Sequence, residues 1–156
     1  MTVAELVAAL LAKGQLVSTA ESCTGGMVAA AITDVAGSSA VFDRGFVTYS
    51  NAAKMQMLGV RLSALETHGA VSEAVAIAMA QGALVHSAAT LAVSITGIAG
   101  PGGGSETKPV GLVHFACADK AGRVWTDRAI FPGDRTAIRT RARDHALQML
   151  GNALAG

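Results

Sequence analysis

Apolar residues recur at helical spacing in some stretches of the chain and cluster in short runs in others, and the two patterns take turns along most of its length. Leu6, Leu10 and Leu11 lie on one face of a helix predicted over Val3–Lys13, which Gly14 ends. A short strand follows at Leu16–Ala20, then the polar turn Glu21–Gly26, then a helix over Met27–Thr33. Ala36–Ser39 reads as a turn and Val41–Tyr49 as a strand. A helix over Asn51–Leu58 stops at Gly59, a short one covers Ser63–Thr67, and Ser72 caps a third that runs to Ser87, with Glu73 in its first turn. Leu91–Ile95 has the continuous apolar character of a buried strand. Gly97–Pro109 is too rich in glycine for a helix or strand interior. Val110–Ala118 and Val124–Phe131 form a hairpin, and Asp134 caps the last helix. Helices alternating with strands, closed by a hairpin, predict a mixed sheet with helices on its faces, in one domain over residues 1–156.

Composition narrows the function classes. Apolar residues are 51% of the chain and charged residues 15%, the reverse of a disordered segment. A net charge of +1 argues against a general nucleic-acid binder. No stretch has the length of a membrane span and the start of the chain lacks a signal peptide's pattern, so no membrane partner is expected and the cytoplasm is the expected location. Cys23 and Cys117 stand far apart and read as reduced, buried thiols. His68, His86, His114 and His145 show no metal-ligand spacing, so no metal is expected. The high apolar content predicts a homo-oligomer.

Three polar loops follow predicted strands: Glu21–Gly26, Ser50–Lys54 and Gly97–Lys108. In an open α/β sheet ligands bind beyond the carboxyl ends of the strands, so parallel strands would bring these loops to one rim. Glu21, Thr24, Gly25 and Gly26 precede a helix, whose first N–H groups suit an anion; the bland alternative has Thr24 merely capping it. Thr96, Gly97 and Gly100 open the glycine loop, whose N–H groups could cradle an anion or an oxyanion, with Lys108 adding charge. Arg135, Arg139 and Arg143 recur every four residues, a basic stripe that an anionic ligand would relieve, although a solvated face is as good a reading.

Tyr49, the only tyrosine, precedes Lys54 by five residues. A lysine against an apolar wall loses its proton more readily and can act as a base. A serine hydroxyl needs such a partner to become a nucleophile. Ser22, Ser38, Ser39 and Ser50 are the candidates, and the sequence does not decide which reaches Lys54. No Ser-His-Asp arrangement stands out, which leaves a serine and a lysine as the better pair for hydrolysis.

The motifs TAESCTGG (Thr19–Gly26), GFVTYSNAAK (Gly45–Lys54), LGV (Leu58–Val60), GAVS (Gly69–Ser72), TGIAGPGGG (Thr96–Gly104), KPVG (Lys108–Gly111) and GDR (Gly133–Arg135) occur in order over nearly the whole chain. Together they resemble the CinA C-terminal domain family, the nicotinamide-nucleotide amidases. The resemblance implies a three-layer α/β/α sandwich and hydrolysis of the carboxamide of nicotinamide mononucleotide to nicotinic acid mononucleotide and ammonia, without metal or organic cofactor. One departure is Ala89-Thr90, where relatives often carry an acidic residue; a structural effect is expected there.

The expected mechanism has a serine attack the carboxamide carbon, with Ser39 slightly favoured over Ser22. Lys54 takes its proton and Tyr49 relays or orients it. The phosphate would rest on the start of the second helix, the glycine loop, or Arg135 and Arg139. The competing expectation is a non-catalytic pyridine-nucleotide-binding regulatory module, which keeps the anion sites without an activated serine.

Overall fold

The computed structural model describes residues 1–156. Six α-helices and five strands follow in the order α1 (Val3–Ala12), β1 (Val17–Glu21), α2 (Met27–Thr33), β2 (Phe42–Val47), α3 (Asn51–Leu58), α4 (Leu62–His68), α5 (Glu73–Val85), β3 (Leu91–Gly97), β4 (Leu112–Asp119), β5 (Val124–Ile130) and α6 (Arg135–Ala155). The sheet order is β2-β1-β3-β4-β5. β1 pairs in parallel with both β2 and β3, whereas β3-β4 and β4-β5 are antiparallel. Leu6, Val28, Ile32, Phe115, Ile138 and Leu150 belong to one apolar cluster, which joins α1, α2 and α6 on one face of the sheet. Ala20, Phe46, Leu58, Leu65 and Met79 join α3, α4 and α5 on the other. The result is a mixed-sheet α/β/α sandwich, as the alternating pattern predicts.

Local chemistry explains the boundaries. Thr2 and Glu5 close a capping box at the start of α1. Ser50, Ser72 and Asp134 each accept a backbone N–H as N-caps of α3, α5 and α6. Helix α5 crosses α3 closely at Gly82, where a Cβ would lie 2.1 Å from the Leu58 carbonyl oxygen. In α1 the buried stripe is Leu6, Val7 and Leu10; Leu11 lies outside it, 59% exposed, because α1 buries only the face turned to α6 and α2. β2 is shorter than predicted, since Thr48 and Tyr49 leave the ladder to lead into α3. Thr90 hydrogen-bonds Leu16 N and Gln15 at the strands' amino ends, a structural role. No helix is long and apolar enough to cross a membrane.

Candidate active site

The carboxyl ends of β1, β2 and β3 meet at one rim, and all three polar loops converge there. A cavity of about 190 Å³ opens between them, lined by Ser22, Cys23, Tyr49, Asn51, Lys54, Ala70, Val71, Thr96, Gly97, Ala99 and Arg135. That volume is below the range of about 300–1,000 Å³ usual for whole small-molecule ligands, so it suits one ring-sized part of a larger molecule. A larger hollow of about 610 Å³ between α1 and α6 has Asp144 as its only ionisable side chain and no nucleophile beyond Thr2.

Lys54 stands one turn into α3 and points back under the rim, its residue only 1% exposed. Its Nζ donates to Ser22 Oγ at 3.1 Å and to the Tyr49 carbonyl oxygen at 3.3 Å. No carboxylate pairs with it. Burial pushes its ammonium below the usual lysine range, against a smaller opposing effect from Cys23. The Cys23 thiol, raised by burial to about 11, is neutral at physiological pH, so its opposing charge acts on Lys54 only in the alkaline range. A neutral amine 3.1 Å from a serine oxygen can accept that hydroxyl's proton.

Ser22 ends β1 and is held by its N–H on the Ile95 carbonyl. The turn that follows is fixed from both sides. Glu21, 1% exposed, turns to the other face of the sheet and accepts from Thr24 Oγ1 (2.6 Å), Val28 N (2.9 Å) and Ala29 N (3.1 Å). Arg139 donates to the carbonyl oxygens of Cys23 and Thr24. With those carbonyls engaged, the N–H groups of Cys23 and Thr24 have no acceptor within the chain. Of these two residues Cys23 lines the cavity next to Ser22, and a free N–H there is of the kind an oxyanion hole uses.

These contacts revise several expectations. The start of α2 is not open to a phosphate: Glu21 is the anion that occupies it, so Glu21 and Thr24 serve the turn from within. Thr24 does not cap the helix directly; Gly26 is the N-cap, at φ 107°, a conformation that glycine tolerates and other residues resist, with Gly25 also at positive φ. Ser39 is separated from Lys54. It lies exposed in a single 3-10 turn, Ser38–Ala40, that leads into the amino end of β2, and the adjoining Val41 carbonyl accepts from Val17 N at the start of β1. In a parallel pair a residue entering one strand and a residue leaving its neighbour lie at opposite rims, and that topological signal distinguishes Ser22 from Ser39.

Tyr49 reaches Lys54 through its backbone carbonyl. Its phenol, on a residue 62% exposed, accepts from Arg135 Nη2 at 3.0 Å. Arg135 also donates to the Gly100 carbonyl at 2.7 Å and so spans the mouth of the cavity. Arg143 pairs with Asp144 instead of joining this group. Thr96 Oγ1 donates to the Ala70 carbonyl, tying the α4–α5 loop to β3, and Lys108 donates to the His68 carbonyl at the end of α4, away from the cavity lining. Sequence reasoning passed over Asn51, Ala70 and Val71 as cavity walls. Asn51 sits between Tyr49 and Lys54, so its position was legible; the α4–α5 loop comes from a distant part of the chain.

A profile of the CinA C-terminal domain matches residues 1–154. The nicotinamide-nucleotide amidohydrolase PncC of Escherichia coli (strain K12) is 62% identical over 142 residues, covering 91% of this chain and 86% of that protein. The crystal structure of the competence/damage inducible protein CihA from Agrobacterium tumefaciens has a TM-score of 0.92 and 52% identity, covering 99% of this chain and 96% of that one. A CinA superfamily protein from Klebsiella pneumoniae 700603 has a TM-score of 0.93 and 42% identity, covering 99% of each chain.

Proposed function

This chain belongs to the CinA C-terminal domain family, and from that premise we propose that it is a nicotinamide-nucleotide amidase, a hydrolase that converts nicotinamide mononucleotide to nicotinic acid mononucleotide and ammonia. The observation that carries the reading is the buried Lys54, unpaired with any acid and 3.1 Å from Ser22 Oγ. The 62% identity to an amidohydrolase named for this substrate supports the reaction class.

In the proposed mechanism Ser22 is the nucleophile and Lys54 the general base. As Ser22 Oγ bonds to the carboxamide carbon, its proton passes to Lys54 Nζ. The carbonyl oxygen takes up negative charge against the free Cys23 N–H. Collapse of the tetrahedral centre breaks the C–N bond, and Lys54 returns the proton to the leaving nitrogen, which departs as ammonia. Water then attacks the ester, its proton passing through Lys54 back to Ser22, and the carboxylic acid leaves. Tyr49 holds the lysine through its carbonyl and Arg135 through its phenol. The pyridine ring occupies the cavity, with the ribose phosphate outside it near Arg135 and the Gly97–Gly100 backbone. No step calls for a metal or an organic cofactor.

Ammonia release from nicotinamide mononucleotide, followed with a metal chelator present, tests this reading. Release by the wild-type protein and its loss in a folded Lys54→Ala variant are expected. A wild-type protein that binds the nucleotide and releases no ammonia would refute the reading.

A further inference from the structure

The wall of the active-site cavity carries two basic residues, Lys54 and Arg135, and no acidic one. Arg135 is exposed and donates to the Gly100 carbonyl and the Tyr49 phenol. Lys54 is buried, and both of its acceptors, Ser22 Oγ and the Tyr49 carbonyl, are uncharged. Glu21, which precedes Ser22, gives its carboxylate to Thr24, Val28 and Ala29 on the other face of the sheet. Helix α5 packs on α3 and carries Glu73, which accepts from Thr126 of β5, and is capped by His86, which lies against Gly59 at the carboxyl end of α3. Asp43 and Arg44 of β2 pair with each other. The Cys23 thiol is neutral at physiological pH. A protonated Lys54 therefore has no counter-charge within the protein, and burial makes that state costly.

The reaction proposed above creates a counter-charge. The ring of nicotinamide mononucleotide is a pyridinium, positive at its ribosylated nitrogen, and its carboxamide is uncharged. Beside Lys54 it disfavours the ammonium by like-charge repulsion. The product keeps the pyridinium and gains a carboxyl group. One oxygen of that group comes from the water whose proton passed to Lys54, so it forms within hydrogen-bond reach of Nζ. A carboxylic acid is a far stronger acid than a lysine ammonium, so its remaining proton moves to Nζ before the product leaves. We propose that the cavity is a pyridine-carboxylate site, in which the carboxylate product is retained as an ion pair with protonated Lys54 and thereby inhibits the enzyme. The pair separates when the ammonium returns its proton to water and the carboxylate departs. Substrate and product then have opposite proton linkage at one site: the neutral amine favours the amide, the ammonium favours the carboxylate. Both ligands carry the same ribose phosphate, so the difference between them belongs to the amide or carboxylate alone.

The inference rests on the amidase reading, and ligand binding separates the two because it needs no turnover. Calorimetry in buffers of different ionisation heat counts the protons exchanged on binding. The ligands are nicotinic acid mononucleotide and nicotinamide mononucleotide, each titrated into folded Ser22→Ala protein from neutral to alkaline pH. The carboxylate should bind with uptake of about one more proton than the amide, and its affinity should fall about tenfold per pH unit above the Lys54 midpoint. Adding Lys54→Met should weaken the carboxylate roughly ten- to hundredfold, the range for loss of a charge-assisted hydrogen bond, and the amide less than about threefold. In the ammonia assay on the wild type, nicotinic acid mononucleotide should compete with substrate more strongly as the pH falls from alkaline to neutral. Equal proton counts for the two ligands, or a carboxylate affinity unchanged by Lys54→Met, beside an active wild type, would overturn the carboxylate site alone. No ammonia release from the wild type would overturn the amidase reading and the retained product with it.

Discussion

The two rims of the parallel half of the sheet treat polar residues differently. At the amino-terminal rim, Thr90 hydrogen-bonds Gln15 and Leu16, Asp43 takes Arg44 and the Ala88 N–H, and Ser39 lies out in a turn. Those polar groups fasten loops to strand ends and leave no charge buried. At the carboxyl-terminal rim the protein buries a lysine with no acid beside it, leaves two N–H groups without acceptors, and strands the Thr48 hydroxyl. Each of those lowers stability on its own. Their concentration at one rim, around one serine, is the pattern expected where local stability is given up for chemistry.

Lys54→Ala should lower kcat for amide hydrolysis by about a thousandfold, within the range for loss of a general base; ammonia release by the folded variant checks it. Next is the internal anion. Glu21→Ala removes three accepted hydrogen bonds from a buried turn and should cost about 1–3 kcal/mol in chemical denaturation, with activity falling as the turn loosens.

Burial lowers the Lys54 pKa in the folded chain, while the unfolded value is ordinary, about 10.4. Between the two the unfolded chain holds the extra proton, so stability rises with pH across that window and is lowest below the folded value. Lys54→Met should remove this dependence and stabilise the protein at neutral pH by roughly 1–3 kcal/mol while abolishing turnover. Thermal melts from neutral to alkaline pH would show it. The smallest effects belong to the mouth of the cavity. Arg135→Ala should raise KM by about tenfold through loss of its contacts with the loop and the substrate phosphate. Tyr49→Phe, which keeps the carbonyl that touches Lys54, should change kcat less than about threefold.

The sequence displayed much of the fold because local chemistry sets it. Asn51–Leu58 is read to the residue with Gly59 as its stop, and Asp134 marks the start of α6. The convergence of three loops followed from parallel pairing of β1 with β2 and β3. Lys54 stood out in the sequence as a candidate base near an apolar wall, and the structure buries it with Nζ on Ser22 Oγ. The choice between Ser22 and Ser39 turned on rim geometry, which spacing along the chain conceals. The role of Glu21 was hidden for a related reason. A carboxylate before a helix can bind outward or turn back on its own N–H groups, and packing against α2 decides which.

Hydrolysis through the serine leaving β1 is tested by ammonia release from nicotinamide mononucleotide by Ser22→Ala and Ser39→Ala side by side, both verified as folded. Loss of activity is expected in Ser22→Ala and a rate within about twofold of wild type in Ser39→Ala. An active Ser22→Ala protein, or an inactive Ser39→Ala one, would contradict it.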